Sequence, residues 1–182
     1  MRVITGIARG RKLQTLPGLE VRPTSEAAKE AIFSILQNEI ENAMVLDLFA
    51  GSGQLGIEAL SRGARQAVFV DQNRDAKEVV LQNLNHTGLI KQARVAQMDA
   101  LAFLSHTRDV FDIALLDPPY NQQLIHRALP LLVPHMSQSA VIVCETDKRE
   151  ELPDQVGEFA IYRVYRYGKA KVTVYRRPAE EE

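Results

Sequence analysis

Two stretches carry residue types that suit chemistry rather than packing alone. The first is Leu115-Leu116-Asp117-Pro118-Pro119-Tyr120, where the apolar run from Phe111 ends in a carboxylate, two prolines and an aromatic ring. Proline has a fixed φ and no N–H, so this turn offers carbonyl oxygens without competing donors. The Asp117 carboxylate and the Pro118 carbonyl would accept the two N–H bonds of an exocyclic amine, and Tyr120 would stack on the ring that carries it. A strand that ends this way in an open α/β sheet presents its groups at the carboxyl edge, where ligands bind. The stretch reads as a seat for a nucleobase amine; taken alone, the same four residues also make a strand-terminating Asp-Pro turn.

The second stretch is Asp47-Leu48-Phe49-Ala50-Gly51-Ser52-Gly53-Gln54-Leu55-Gly56, a G-x-G-x-x-G placed between a strand and a helix, with Asp71 at the end of the next strand. A loop of this kind with a downstream acid suits a dinucleotide and its ribose diol. Asp47 argues for something else. A carboxylate at the strand's mouth repels a pyrophosphate seated on the helix N-terminus and suits an ammonium group. S-adenosylmethionine brings that ammonium, a carboxylate for the helix N-terminus and no phosphate, so the charge pattern prefers it to NAD. The alternative for Asp47 is a structural turn carboxylate. Asp71 reads as a ribose ligand, with a plain helix cap as its alternative. Asp99 either accepts a hydrogen bond from the adenine amine or caps the helix that starts at Ala100, and the two roles can coexist.

No metal is expected. His86, His106, His126 and His135 show no metal spacing, and a lone Cys144 cannot complete a zinc set. Gly51-Ser52-Gly53 lacks the flanking spacing of a nucleophile elbow, which leaves Ser52 as loop.

To hold both stretches at one edge, the chain needs parallel strands joined by helices. Short apolar runs at 44–50, 66–70, 93–98, 111–116 and 140–144 read as five strands, with helical stretches at about 54–62, 74–88, 100–107 and 122–134 between them. Two further runs, 159–167 and 170–175, flank Gly168-Lys169 and read as a closing antiparallel hairpin. Ahead of the sheet, 3–5 and 13–16 flank a polar, glycine-bearing tip and suggest a basic hairpin. A helix then starts near Thr24, with Ala28, Ile32, Ile35, Leu36 and Ile40 at helical spacing. The expected organisation is an extension over 1–43, a ligand-binding domain over 44–178 and an acidic tail over 179–182.

Composition bounds the rest. A chain of 182 residues with 46% hydrophobic content fills one domain core. The net charge of −1 speaks against general adhesion to nucleic acid, but residues 1–22 hold Arg2, Arg9, Arg11, Lys12 and Arg22 against Glu20 alone. A basic leader on an acidic body is what a localised phosphate contact looks like, or a solvated charged hairpin. Cys144 lies in an apolar run and reads as a buried, inert thiol. A reducing cytoplasm is compatible with it. The first residues lack an apolar signal core, and no run approaches the ~18 apolar residues of a membrane span, so neither export nor a membrane is expected.

With the glycine loop followed by Asp117-Pro118-Pro119-Tyr120, the chain resembles class I S-adenosylmethionine-dependent amino-methyltransferases. More closely, and nearly end to end, it resembles the RsmD family, bacterial enzymes that methylate the N2 amine of a guanine in small-subunit ribosomal RNA. The matching pieces are Arg2-Val3-Ile4, Gly6, Arg9-Gly10-Arg11 and Leu13, then Arg22-Pro23-Thr24 with Glu30 and Phe33. They continue through Asp47 to Gly53, Leu55-Gly56, Glu58 to Ala64, and Asp117 to Tyr120. The resemblance implies a doubly wound, mostly parallel seven-stranded sheet with a small N-terminal hairpin and helix. It implies S-adenosylmethionine as cofactor and ribosomal RNA or a small-subunit assembly particle as partner, with no oligomeric state indicated. Asp117, Pro118 and Tyr120 would act on the base. Asp47, Phe49, Gly51, Gly53, Asp71, Asp99 and Thr24 would hold the cofactor, and Arg9, Arg11, Lys12 and Arg22 would join Tyr120 in holding RNA. Arg22 and Thr24 are placed near the methionine end of the cofactor or the RNA path by the resemblance alone. Gln54 stands where the family often has a small residue, and Ala170 follows Gly168-Lys169 where a threonine is common; neither is expected to touch a reacting group. The tetrapeptide is shared with adenine and cytosine amino-methyltransferases. A DNA or other RNA adenine-N6 enzyme therefore stays open, as do an NAD-dependent dehydrogenase and a non-catalytic RNA-binding protein.

Overall fold

The computed structural model describes residues 1–16, 26–120 and 122–180, so Arg22 and Thr24 lie outside the described residues. Helix α1 (Glu26–Leu36) precedes an alternation of β1 (Met44–Asp47), α2 (Gln54–Ser61), β2 (Gln66–Asp71), α3 (Arg74–Thr87), β3 (Ala93–Gln97), α4 (Ala100–His106), β4 (Phe111–Leu116), α5 (Leu124–Leu132) and β5 (Met136–Asp147). Three strands close the chain: β6 (Gln155–Val156), β7 (Phe159–Tyr167) and β8 (Ala170–Arg176). They form one sheet in the order β3-β2-β1-β4-β5-β8-β7-β6. The first five strands are parallel, and β8, β7 and β6 add antiparallel at the edge. The strand order reverses direction at β1, whose Asp47 is in register with Phe69 of β2 on one side and Leu115 of β4 on the other. An open α/β sheet binds ligands outside such a switch point, at the carboxyl ends of its strands.

Alternation along the strands splits the core in two. Val45, Ile113, Leu115, Val141 and Val143 face a cluster with Ile32, Phe33 and Leu36 of α1, Ile57 and Leu60 of α2, and Val80 and Leu84 of α3. Leu46, Ala114, Leu116, Ile142 and Cys144 face the other way, onto Phe103 and Leu104 of α4 and Ile125, Leu129 and Leu132 of α5. Both faces of β1, β2 and β4 are covered, which is why their sequences are near-continuous apolar runs and not alternations. The third glycine of the loop lets α2 approach β2 closely. A Cβ built on Gly56 would stand 2.3 Å from the Phe69 ring. Gly56→Ala is expected to cost about 1–3 kcal/mol of stability through overpacking, read as a lower denaturant midpoint with an unchanged slope.

The sheet departs from the sequence expectation in three places. It has eight strands among the described residues and not seven, because β6 is a two-residue edge pairing, too short to leave a periodic signal. Strand β5 runs well beyond 140–144, since Glu145, Thr146 and Asp147 continue the ladder with β8 despite their polar side chains. The leader hairpin pairs earlier than 3–5 with 13–16: an antiparallel bridge joins Arg2 and Lys12, and the Val3 N–H donates to the Arg11 carbonyl and the Leu13 N–H to the Met1 carbonyl, each at 2.9 Å.

Side chains of α2 take the leader donors that this pairing leaves over. The Glu58 carboxylate accepts hydrogen bonds from the Ile4 N–H at 2.7 Å and the Thr5 N–H at 3.1 Å. Ser61 Oγ accepts from the Ala8 N–H at 3.0 Å and donates to the Thr5 carbonyl at 2.7 Å, while the Ser61 carbonyl accepts from the Ile7 N–H. Buried backbone donors must find acceptors somewhere, and here they find them on a helix more than fifty residues away in sequence. Lys29 of α1 lies 3.4 Å from Glu58, both side chains fully enclosed, and donates to the Arg2 carbonyl at 3.0 Å. Burial holds its ammonium below the ordinary lysine range against the pull of Glu58. Gly6 marks the closest approach, since a Cβ there would meet the Ser61 carbonyl oxygen at 1.9 Å.

Candidate active site

The carboxyl ends of β1, β2 and β4 and the turn after β3 converge on one cavity of about 940 Å³. β1 delivers Asp47, which is 1% exposed, and its Oδ2 accepts the Gly56 N–H at 3.0 Å. The chain then turns through Gly51 and Gly53, whose φ angles of 55° and 82° lie in the left-handed region that favours glycine. Because Gly53 precedes α2, that helix begins without a capping side chain. Asp47 takes the Gly56 N–H of that first turn, which leaves the Gln54 and Leu55 N–H groups for an anion at the cavity wall.

Asp71 at the end of β2 ties the loop down. One of its oxygens accepts the Gly51 N–H at 2.9 Å and the other the Asn73 N–H at 2.9 Å. It does not cap α3; Asn73 does, accepting from the Asp75 N–H at 2.8 Å. Asp99 caps α4 by accepting the Ala102 N–H at 3.0 Å and also lines the cavity, so the capping alternative is seen and the ligand-facing one stays sterically open. Asp117 is half-buried, Pro118 buried and Tyr120 half-buried, and all three line the same cavity.

Asp47, Phe49, Gly51, Asp71, Asp99, Asp117, Pro118 and Tyr120 are thus brought together, and Gly53 stands buried in the turn beside them. Arg9, Arg11 and Lys12 are not; they are exposed on the leader, where Arg9 borders a separate small groove of about 190 Å³ with Arg2 and Glu30.

Four carboxylates, Asp47, Asp71, Asp99 and Asp117, face this space with Arg127 as the one cationic side chain among the described lining residues. Burial raises the Asp47 carboxyl to about 8, the neighbouring charges of Asp117 and Asp71 add to the rise, and the Gly56 N–H opposes it. A pyrophosphate would be repelled here. A ligand with an ammonium, a sugar diol and an aromatic amine would find an acceptor for each.

Several residues that build the site were not singled out from sequence. Asn83 of α3 donates to the Ser52 carbonyl at 2.9 Å and the Gln14 carbonyl at 3.1 Å and accepts from the Gln14 N–H at 2.8 Å, joining the glycine loop to the leader. Met1, Thr15 and Leu16 consequently form part of the cavity wall. A signal was present: Asn83 interrupts the apolar stripe Ala76, Val79, Val80 and Leu84, as Glu58 and Lys29 interrupt theirs. Gln54, not expected to touch a reacting group, lines the cavity, 8% exposed, and its Oε1 is buried with no hydrogen-bond partner among the described residues.

Comparison with known proteins extends this picture. The family described as Conserved hypothetical protein 95 matches residues 1–176. The Ribosomal RNA small subunit methyltransferase D of Escherichia coli (strain K12) is 33% identical, covering 100% of this chain and 92% of the relative. The solved structure of yhhF from Escherichia coli superimposes with a TM-score of 0.87 at 34% identity, covering 99% of each chain. An RNA methyltransferase from Salinibacter ruber, solved with S-adenosyl-L-homocysteine, shares the fold at a TM-score of 0.67 and 17% identity, over 88% of this chain and 97% of that one.

Proposed function

Since the chain belongs to the RsmD family, described as Conserved hypothetical protein 95, we propose that it transfers a methyl group from S-adenosylmethionine to the N2 amine of a guanine in small-subunit ribosomal RNA. The observation that carries this reading is the convergence of Asp47, Asp71 and Asp99 with Asp117, Pro118 and Tyr120 on one cavity. The bound cofactor supplies an electrophilic methyl group on a sulfonium centre. The donor set suits it: Asp47 takes its ammonium, the uncapped start of α2 its carboxylate, Asp71 the ribose hydroxyls and Asp99 the adenine amine, with Phe49 on the cavity wall beside them.

The base-side residues position the nucleophile. The lone pair of the guanine amine is delocalised into its ring, which makes it a weak nucleophile. Hydrogen bonds from that amine to the Asp117 carboxylate and the Pro118 carbonyl localise the pair and aim it, so the rate gain comes from orientation and electrostatics. The base leaves its stack at a cost of a few kcal/mol. Stacking on Tyr120 offsets about 1–3 kcal/mol of this.

The test is transfer of labelled methyl groups from S-adenosylmethionine into small-subunit ribosomal RNA, free or in assembly particles, with genomic DNA as the comparison. Label in a guanine of the RNA supports the proposal; label in adenine or in DNA assigns the same pocket to another base. Arg9, Arg11 and Lys12 are exposed on the leader, as is Ile7 at 81%. Replacing all three cations with alanine is expected to weaken RNA binding and to flatten the dependence of log affinity on log salt by roughly one unit for every phosphate that is no longer neutralised. Filter-binding titrations across a salt series measure both. The reaction belongs in the cytoplasm, where ribosomal particles are assembled.

A further inference from the structure

We infer that Gln54 is a positioning residue for the cofactor, its Oε1 accepting a hydrogen bond from the ammonium group of the methionine moiety. This rests on the S-adenosylmethionine reading of the cavity. Gln54 is the first residue of α2 and more than nine-tenths buried, yet its amide oxygen meets no donor among the described residues. A buried acceptor without a donor is disfavoured unless a ligand supplies one. The side chain borders the cavity, where a bound ligand can supply the donor.

The chemistry of the neighbouring groups selects which donor. The helix that Gln54 opens has no side chain at its cap position, and the first-turn N–H groups of Gln54 and Leu55, which Asp47 does not take, attract the ligand's carboxylate. In an α-amino acid the ammonium sits on the same carbon as the carboxylate, two bonds from the carboxylate carbon. Once the carboxylate is on the first turn of α2, the ammonium is within reach of side chains on and beneath that turn. Asp47 lies beneath it, bonded to the Gly56 N–H, and Gln54 lies on it. The ammonium has three donors; Asp47 satisfies one and Gln54 a second. An apolar or small residue at position 54 would leave that donor to solvent or unpaired.

The test compares S-adenosylhomocysteine with its deamino analogue, in which hydrogen replaces the amine, by titration calorimetry on the full chain and on Gln54→Met. Methionine keeps the volume and removes the acceptor. S-adenosylhomocysteine affinity is expected to fall about tenfold in Gln54→Met, the size of one charge-assisted hydrogen bond, while the deamino analogue binds both proteins equally. The unliganded melting temperature of Gln54→Met should equal or exceed that of the unsubstituted protein, because the Oε1 acceptor it removes has no partner among the described residues. Equal losses for the two ligands, or no loss for S-adenosylhomocysteine, would overturn the assignment. If the unsubstituted protein binds neither ligand, the cofactor reading falls first, and the assignment falls with it.

Discussion

Asp117→Ala is expected to lower methyl transfer by roughly 10²–10⁴-fold while leaving cofactor binding in place. The alanine removes one of the two acceptors that hold the amine, leaving only the Pro118 carbonyl. The lone pair then stays in the ring, and the amine is free to turn away from the methyl group. Cofactor binding persists because its ligands stand on β1, β2 and the turn after β3, while Asp117 belongs to the turn after β4. Removal of the Asp117 charge also relieves Asp47, whose carboxyl it helps to raise, so affinity for the cofactor at neutral pH should hold or improve slightly. Single-turnover transfer together with calorimetric titration separates the two effects. Unchanged turnover would remove the mechanism, whereas a joint loss of turnover and cofactor binding would place Asp117 in the cofactor site.

Asp47→Asn should act on the other half of the cavity, lowering cofactor affinity by roughly 10²-fold near pH 8, as expected on truncating one partner of a buried charge pair. The buried carboxyl titrates at about 8 instead of its ordinary 3.8. Folded, unliganded protein therefore holds a proton between those values that the unfolded chain releases. Its stability falls as pH rises through that window and levels off above it. An ammonium bound against Asp47 favours the charged form, so below pH 8 cofactor binding expels a proton and tightens as pH rises. Beyond pH 8 an α-amino group begins to lose its own proton, which sets the optimum of affinity near pH 8. Asparagine keeps an acceptor for the Gly56 N–H and has nothing to titrate. The unliganded variant should thus be more stable than the unsubstituted protein at pH 8 and above, and its affinity should lose the rise between pH 6 and 8. Thermal melts and cofactor titrations over this range check both. A variant that binds the cofactor as tightly as the unsubstituted protein would return Asp47 to a structural turn carboxylate.

The pairing of greater stability with lost binding is what a functional site predicts, since a buried carboxylate without a counter-cation destabilises the fold and is tolerated for what it binds. The leader shows the converse. Lys29, Glu58 and Ser61 are enclosed polar groups whose partners all lie within the protein, and they dock residues 1–16 against α2. That docking places Met1, Thr15 and Leu16 on the cavity wall and leaves the cations of the same segment in solvent.

The parallel α/β sheet, the order of strands and helices, and the set of carboxylates that meet at one edge are legible in local residue patterns: an apolar run of strand length, the acid that ends it, and a glycine turn that admits a left-handed residue. Parallel strands all present their carboxyl ends at the same edge of the sheet, so acids at strand ends converge once the strands are parallel. Folding in three dimensions sets how the leader's donors are satisfied, how far β5 extends, that Asn73 and not Asp71 caps α3, and that Gln54 carries an acceptor without a donor among the described residues. These depend on through-space partners far apart in the chain, such as Ile4 with Glu58 or Gln14 with Asn83. A side chain's hydrogen-bonding state is a property of its surroundings, which no spacing of residue types encodes.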